Sequence, residues 1–188
     1  MTPVLVTGPS IEPVSLAELK LWLRVSDNDE DDLIAGLITA ARLMLEADTH
    51  LLFIAQTWRI RLDQWPSGEV FNIPLSPLRN IEEIKIYDRN NIAVTVSPQN
   101  YFVDASPGTA RVFFTGAQPQ PERRIAGIEI AGSFGFGVTP DEVPDPIRLA
   151  LRMLAARWYE NRGDATADSA GLPSEIASLV APYRRMRL

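Results

Sequence analysis

Residues 143–162, VPDPIRLALRMLAARWYENR, decide how this chain is organised. Pro146 suits the first turn of a helix, where its missing N–H removes no bond, and Asp145 before it is a candidate N-cap. Ile147, Ala150, Leu151, Leu154 and Trp158 recur at helical spacing and form one apolar stripe. Arg148, Arg152 and Tyr159 mark the wetter side, and Gly163 stands where a helix favours a left-handed residue after its last turn. At about 1.5 Å per residue this is a rod of roughly 22 Å with one face to bury. It carries no catalytic chemistry, so its partners must come from elsewhere in the chain.

Two further helices near the start supply such partners. Ser15-Leu16-Ala17-Glu18 is a capping box, with Leu16, Leu19 and Leu23 as the buried side and Trp22 adjoining. Ser26-Asp27-Asn28 then caps a second helix, and Asp29, Glu30, Asp31 and Asp32 crowd its first turn, where carboxylates favour the positive end of the dipole. Leu33, Ile34, Leu37, Ile38, Ala41, Met44 and Leu45 make a face too wide for a helix with one neighbour.

From about Ile54 the period changes from 3.6 to 2. Trp58, Ile60 and Leu62 alternate with Arg59, Arg61 and Asp63. A turn at Pro66-Ser67-Gly68 precedes a strand at Phe71-Asn72-Ile73, and Pro74 and Pro77 bracket a proline-limited edge segment. Ile84-Lys85-Ile86-Tyr87 and Ala93-Val94-Thr95-Val96 flank the turn-forming Asp88-Arg89-Asn90-Asn91. Residues 101–103, 111–114 and 125–131 complete a set of short strands that suggests a small antiparallel sandwich or barrel.

The expected fold is therefore α+β: a helical bundle domain, 13–53 and 141–181, split by an inserted antiparallel β domain, 54–140. An extended N-terminal arm, 1–12, holds the strand-like Val4, Leu5 and Val6. A short helix over 173–180 leads to a C-terminal tail, 182–188.

Composition narrows the function. The 188 residues carry a net charge of −6, which argues against a nucleic-acid binder with a basic face. There is no cysteine, so disulfides, thiolate nucleophiles and Cys-ligated metals are excluded. The N-terminus lacks a signal-peptide pattern and no apolar run reaches the ~20 residues of a membrane span, so a soluble, non-secreted protein is expected.

Three stretches invite a chemical reading and fail it. The acidic run 27–32 superficially matches a calcium loop, but the positions needing Gly and Glu hold Asp32 and Ile38. Gly132, Gly135 and Gly137 are not spaced as a dinucleotide or phosphate loop and read as a strand end with a turn. His50, the one histidine, has no partner spacing for zinc or a triad and is read as the end of the second helix. No catalytic, metal or cofactor-binding residue is assigned. The tail is the candidate site: Tyr183, Arg184, Arg185, Met186, Arg187 and Leu188 combine guanidinium groups with apolar anchors, as docking segments do.

Taken in order, several of these pieces resemble the head–tail connector (adaptor) proteins of long-tailed bacteriophages and phage-like gene transfer agents. The matching stretches are Pro13-Val14-Ser15-Leu16-Ala17-Glu18, Leu23-Arg24-Val25, Asp29-Glu30-Asp31-Asp32-Leu33-Ile34 and Gln56-Thr57-Trp58. They continue through Pro74-Leu75-Ser76-Pro77-Leu78, Ile128-Glu129-Ile130, Gly135-Phe136-Gly137, Val143-Pro144, Ile147 and Trp158-Tyr159-Glu160-Asn161-Arg162.

The resemblance implies a structural virion protein and not an enzyme. Such subunits form a ring, typically a dodecamer, beneath the portal, in the neck of a particle made in the bacterial cytoplasm. The ring extends the DNA channel, with DNA only passing through, and offers a platform for head-closure (stopper) or tail proteins. The tail, 182–188, would dock on the portal. A stopper or tail-terminator protein, or a small hydrolase, are the competing readings; the first two are mostly β, and a hydrolase needs an acid–base cluster that the sequence does not offer.

Overall fold

A computed structural model describes residues 1–106, 110–161 and 171–184. The chain mixes helices with antiparallel sheet and divides into two compact units, Met1–Ser10 with Ala55–Phe136, and Ile11–Ile54 with Gly137–Leu188.

The first unit is built of strands. Its larger sheet has five: β1 (Thr2–Thr7), β2 (Gln56–Leu62), β4 (Leu78–Tyr87), β5 (Ala93–Thr95) and β8 (Ile128–Phe134), in the order β1-β2-β8-β4-β5. The smaller sheet sets β7 (Arg111–Phe114) between β3 (Val70–Asn72) and β6 (Tyr101–Asp104). Every strand pair is antiparallel, and both sheets are open, with β1 and β5 at the edges of the larger one. The N-terminal stretch is thus a sheet edge paired with β2.

The last strand in the chain is the central one. β8 aligns Ile128, Ile130 and Phe134, all fully buried, beside Ile60 and Leu62 of β2 and Ile84 and Ile86 of β4. On its opposite face Glu129 is buried and held by Arg59 at 3.1 Å and Arg61 at 3.4 Å, so the inward carboxylate is neutralised where it sits. Gly132 is part of this strand and not of a following turn: a Cβ there would lie 2.7 Å from the Asn80 carbonyl oxygen, where β4 is bulged. The turn begins at Gly135, at φ +130°. In the smaller sheet Phe71, Val112 and Phe114 face inward around Trp65, which meets Phe71 and Phe114 edge-on at 5.6 and 5.0 Å.

The second unit holds the helices α1 (Leu16–Leu23), α2 (Asp31–Thr49), α3 (Asp145–Glu160) and α4 (Ser174–Val180). The capping box forms as its residues dictate, Ser15 Oγ accepting from the Glu18 N–H and Glu18 accepting from the Ser15 N–H at 2.8 Å. α2 buries Ile34, Ile38, Ala41 and Leu45, and α3 buries Ile147, Ala150, Leu151, Leu154, Ala155 and Ala156. α2 packs on α1 and α3, and α3 packs on α1 and α4.

Several local expectations shift. α3 is capped by the Pro144 carbonyl, which accepts from Ile147 N–H at 2.9 Å; Asp145 and Pro146 are already its first helical residues. α2 starts at Asp31, past Ser26-Asp27-Asn28, because the Asp27 carboxylate bonds its own loop at Asp29 N–H instead of a helix N–H. Trp158 is half-buried and does not complete the α3 stripe, while Trp22 is exposed, with Arg152 5.5 Å above its ring. Gly163 lies outside the described residues. His50 does end α2, as its left-handed C-cap at φ 58°.

Candidate functional site

The acidic run at the start of α2 is occupied by the fold itself. Lys20 Nζ donates to Asn28 at 2.7 Å and to Asp31 at 2.5 Å, and the Tyr159 hydroxyl donates to Glu30. Arg148 on α3 reaches Glu18 at 3.0 Å, so the wetter face of α3 carries ties to α1 and α2 and not idle charge. Among the described residues no cluster of three or more His, Asp or Glu side chains could hold a metal ion. No described helix is long and apolar enough to cross a membrane.

One buried charged network stands inside the helical unit. Arg42, 6% exposed, donates to Glu12 at 2.7 Å and to Glu46 at 2.8 Å, while Glu46 also accepts the Phe53 N–H at 2.8 Å. Burial pushes the Glu46 carboxyl above its usual range, and the Phe53 N–H and Arg42 pull against that. Its contacts pin the segments on either side of α1 and α2 to α2. A structural clamp results.

A cavity of about 720 Å³ lies in the strand unit. Its floor is Ile86 of β4 with Val94 and Val96 at and after β5; residues 115–117, 119 and 120 form a wall. The two carboxylates on its rim are engaged. Asp88 accepts the Asn90 and Ile92 N–H groups at 2.8 Å each, and Glu122 pairs with Arg89 at 3.0 Å, which holds its carboxyl below the usual range. The groove therefore offers apolar surface and hydrogen-bonding backbone, without a poised acid or base.

The remaining surface is rich in apolar side chains for unpartnered elements. All six residues of β1 are exposed, including Val4, Leu5 and Val6. Across the smaller sheet Val70, Phe113 and Phe102 stand in register on its outer face, with Phe102 63% exposed. In the next outward row the Arg111 guanidinium pairs with Asp104 at 2.5 Å; the Ser106 hydroxyl first, and then Arg111, hold the Asp104 carboxyl down to about 2. On the helical unit Leu21, Leu33 and Leu43 project outward. Such surfaces suit assembly better than catalysis.

The tail residues fare unequally. Tyr183 closes a short turn, Ala181–Tyr183, after α4 and is half-buried. Arg184 folds back on α2 and donates to both carboxylate oxygens of Asp48, at 2.8 and 2.9 Å. Arg185, Met186, Arg187 and Leu188 lie outside the described residues. The groove and the Val70–Phe113–Phe102 row were not singled out from sequence. Alternation within 111–114 marks which side chains share a face, but only strand pairing reveals the row.

No curated protein matches the chain. The profile of the family described as "Phage gp6-like head-tail connector protein" matches residues 13–118. In fold the chain is similar to one in "Neck of empty GTA particle computed with C6 symmetry", at 22% identity and a TM-score of 0.84, covering 100% of this chain and 97% of the other. It is similar also to a chain of "Virion of native gene transfer agent (GTA) particle", at 23% identity and a TM-score of 0.85, with the same coverage. A third, from "Neck of native GTA particle computed with C12 symmetry", shares 23% identity at a TM-score of 0.77, again covering 100% of this chain and 97% of the other.

Proposed function

Since the chain belongs to the phage gp6-like head-tail connector family, we propose that it assembles as a ring in the neck of a phage or gene-transfer-agent particle. There it sits beneath the portal, extends the DNA channel, and gives head-closure and tail proteins a platform. The observation that carries this is the family match over residues 13–118, which spans α1, α2 and the strands from β2 to β7. Solved chains of like fold come from neck reconstructions with C6 and C12 symmetry, which supports a twelve-membered ring.

A ring of this kind needs two different surfaces on each subunit that meet head to tail and close. The exposed apolar surfaces of the strand unit supply candidates, and the net charge of −6 suits a channel through which DNA slides without sticking. The finer architecture belongs to the same reading: a helical bundle, 13–53 and 141–181, interrupted by an antiparallel insertion, 54–140. It is supported by α1, α2, α3 and α4 sharing one compact unit although the strand segment Ala55–Phe136 lies between α2 and α3 in the chain.

The tail completes the proposal, with 182–188 docking on the portal. Arg184 is held by both carboxylate oxygens of Asp48, which anchors the start of the tail on α2. Deleting 185–188 should leave the melting profile unchanged and abolish co-sedimentation with purified portal; portal binding equal to that of the full chain would refute the docking role. The neck assignment is tested by producing particles without this chain. DNA-containing heads that lack tails are expected, whereas normally tailed particles would overturn it.

A further inference from the structure

We propose that subunits of the ring join by sheet addition, β1 of one copy laying along the β5 edge and apolar groove of the next. This rests on the ring reading above and specifies its interface.

Each half of the joint is visible in the chain. β1 reads TPVLVT, carries no charge, and exposes all six residues. It stands at a sheet edge, so among the described residues no strand lies beside its outward N–H and C=O groups. Proteins usually blunt such an edge with charge, and here only Pro3 interrupts the donors. Val4, Leu5 and Val6 therefore buy no core burial within their own subunit.

The opposite edge of the same sheet is shaped to receive them. β5 is exposed along its length, with Val94 at 62%, and among the described residues has no strand on its outer side. The 720 Å³ groove opens alongside, floored by Ile86, Val94 and Val96. A strand added at β5 would extend that floor and send every second side chain into the groove, the pattern of β-strand addition.

Strand direction selects the arrangement. Four antiparallel pairings separate β1 from β5, so the two edge strands run the same way. A ring operation turns each copy by a small fraction of a revolution and preserves that direction, giving a parallel β5–β1 joint that can repeat from copy to copy. A two-fold axis would instead set β1 against β1, antiparallel, closing a dimer and leaving the β5 groove empty.

The test uses the full chain, which has no cysteine of its own. Leu5→Cys and Val94→Cys are introduced singly and together and treated with a short bismaleimide. Within one subunit the two sites are four strand spacings apart, roughly 19 Å, beyond the linker's reach. The double variant should give a ladder of covalent multimers and neither single variant any. Dimers from Leu5→Cys alone, or no crosslinking in any sample, overturn the joint. Leu5→Asp should raise the concentration for half-assembly about tenfold or more without moving the melting temperature, since Leu5 is exposed in the subunit; unchanged assembly contradicts the proposal. A wild-type ring without the ladder refutes this interface alone. A wild-type chain that stays monomeric, with and without portal, refutes the ring reading too.

Discussion

Leu151→Ala probes the helical unit at its centre. Leu151 is fully buried on α3, in the same stripe as Ile147, Leu154 and Ala155. The change removes three methyl or methylene equivalents, and at about 0.8 kcal/mol each the lost transfer energy is about 2.4 kcal/mol. The cavity left between α3 and the helices packed on it adds to that, so a loss of about 3–4 kcal/mol is expected. The control is Leu21→Ala on α1, where the side chain is 82% exposed and the cost should stay within about 0.5 kcal/mol. Denaturant melts followed by far-UV circular dichroism report on this unit, because the four described α-helices lie within it. A loss below about 1 kcal/mol for Leu151→Ala, or one equal to that of Leu21→Ala, would show that α3 is not the core element described.

Other perturbations address the buried charges and the strand unit. Glu46→Ala leaves Arg42 paired with Glu12 but strips an acceptor from a buried guanidinium N–H and from the Phe53 N–H, and should cost about 1–3 kcal/mol in the same melt; an unmoved midpoint would contradict the clamp. Burial raises the folded-state pKa of Glu46 above its ordinary value of 4.5, so its contribution is fully present below that value and is lost as pH rises through the raised one. Glu46→Gln should flatten that limb of the stability–pH curve, and an identical curve counts against the shift. Asp104 works with the opposite sign. Its pKa is held down from 3.8 to about 2, so its contribution is present above 3.8 and disappears as pH falls through about 2; a carboxyl titration by NMR with a midpoint near 3.8 would refute the Arg111–Ser106 arrangement. Gly132→Ala should destabilise the strand unit by about 1–3 kcal/mol, since the new Cβ meets a backbone oxygen that cannot rotate away; no effect would mean that β4 and β8 lie further apart.

Local chemistry was legible in the sequence and long-range pairing was not. The Ser15–Glu18 capping box reads directly because its two bonds span three residues, and the α3 stripe reads because helical spacing is fixed. Trp158 fits the same spacing yet is half-buried, since burial depends on where the neighbouring helices end. The place of β8 between β2 and β4 has no local signature, and neither does the pairing of Glu129 with Arg61, 68 residues earlier in sequence, and with Arg59. The acidic run at 27–32 shows the limit from the other side. Its composition marks a helix start, but Lys20 and Tyr159, which occupy Asp31 and Glu30, come from other helices. For the candidate site, Tyr183 and Arg184 were named from composition, whereas the Asp48 partner of Arg184 lies 136 residues away and could not be. The groove beside β5 is likewise a product of strand order.

The central claim is that this chain forms a ring against the portal, and imaging the two purified proteins together tests it most directly. Electron microscopy of the mixture should show a closed ring of this chain, twelvefold by the present reading, stacked coaxially on the portal with its channel continuous. Portal particles that remain bare at saturating concentrations of this chain, with the chain itself monodisperse and unassembled, would contradict it.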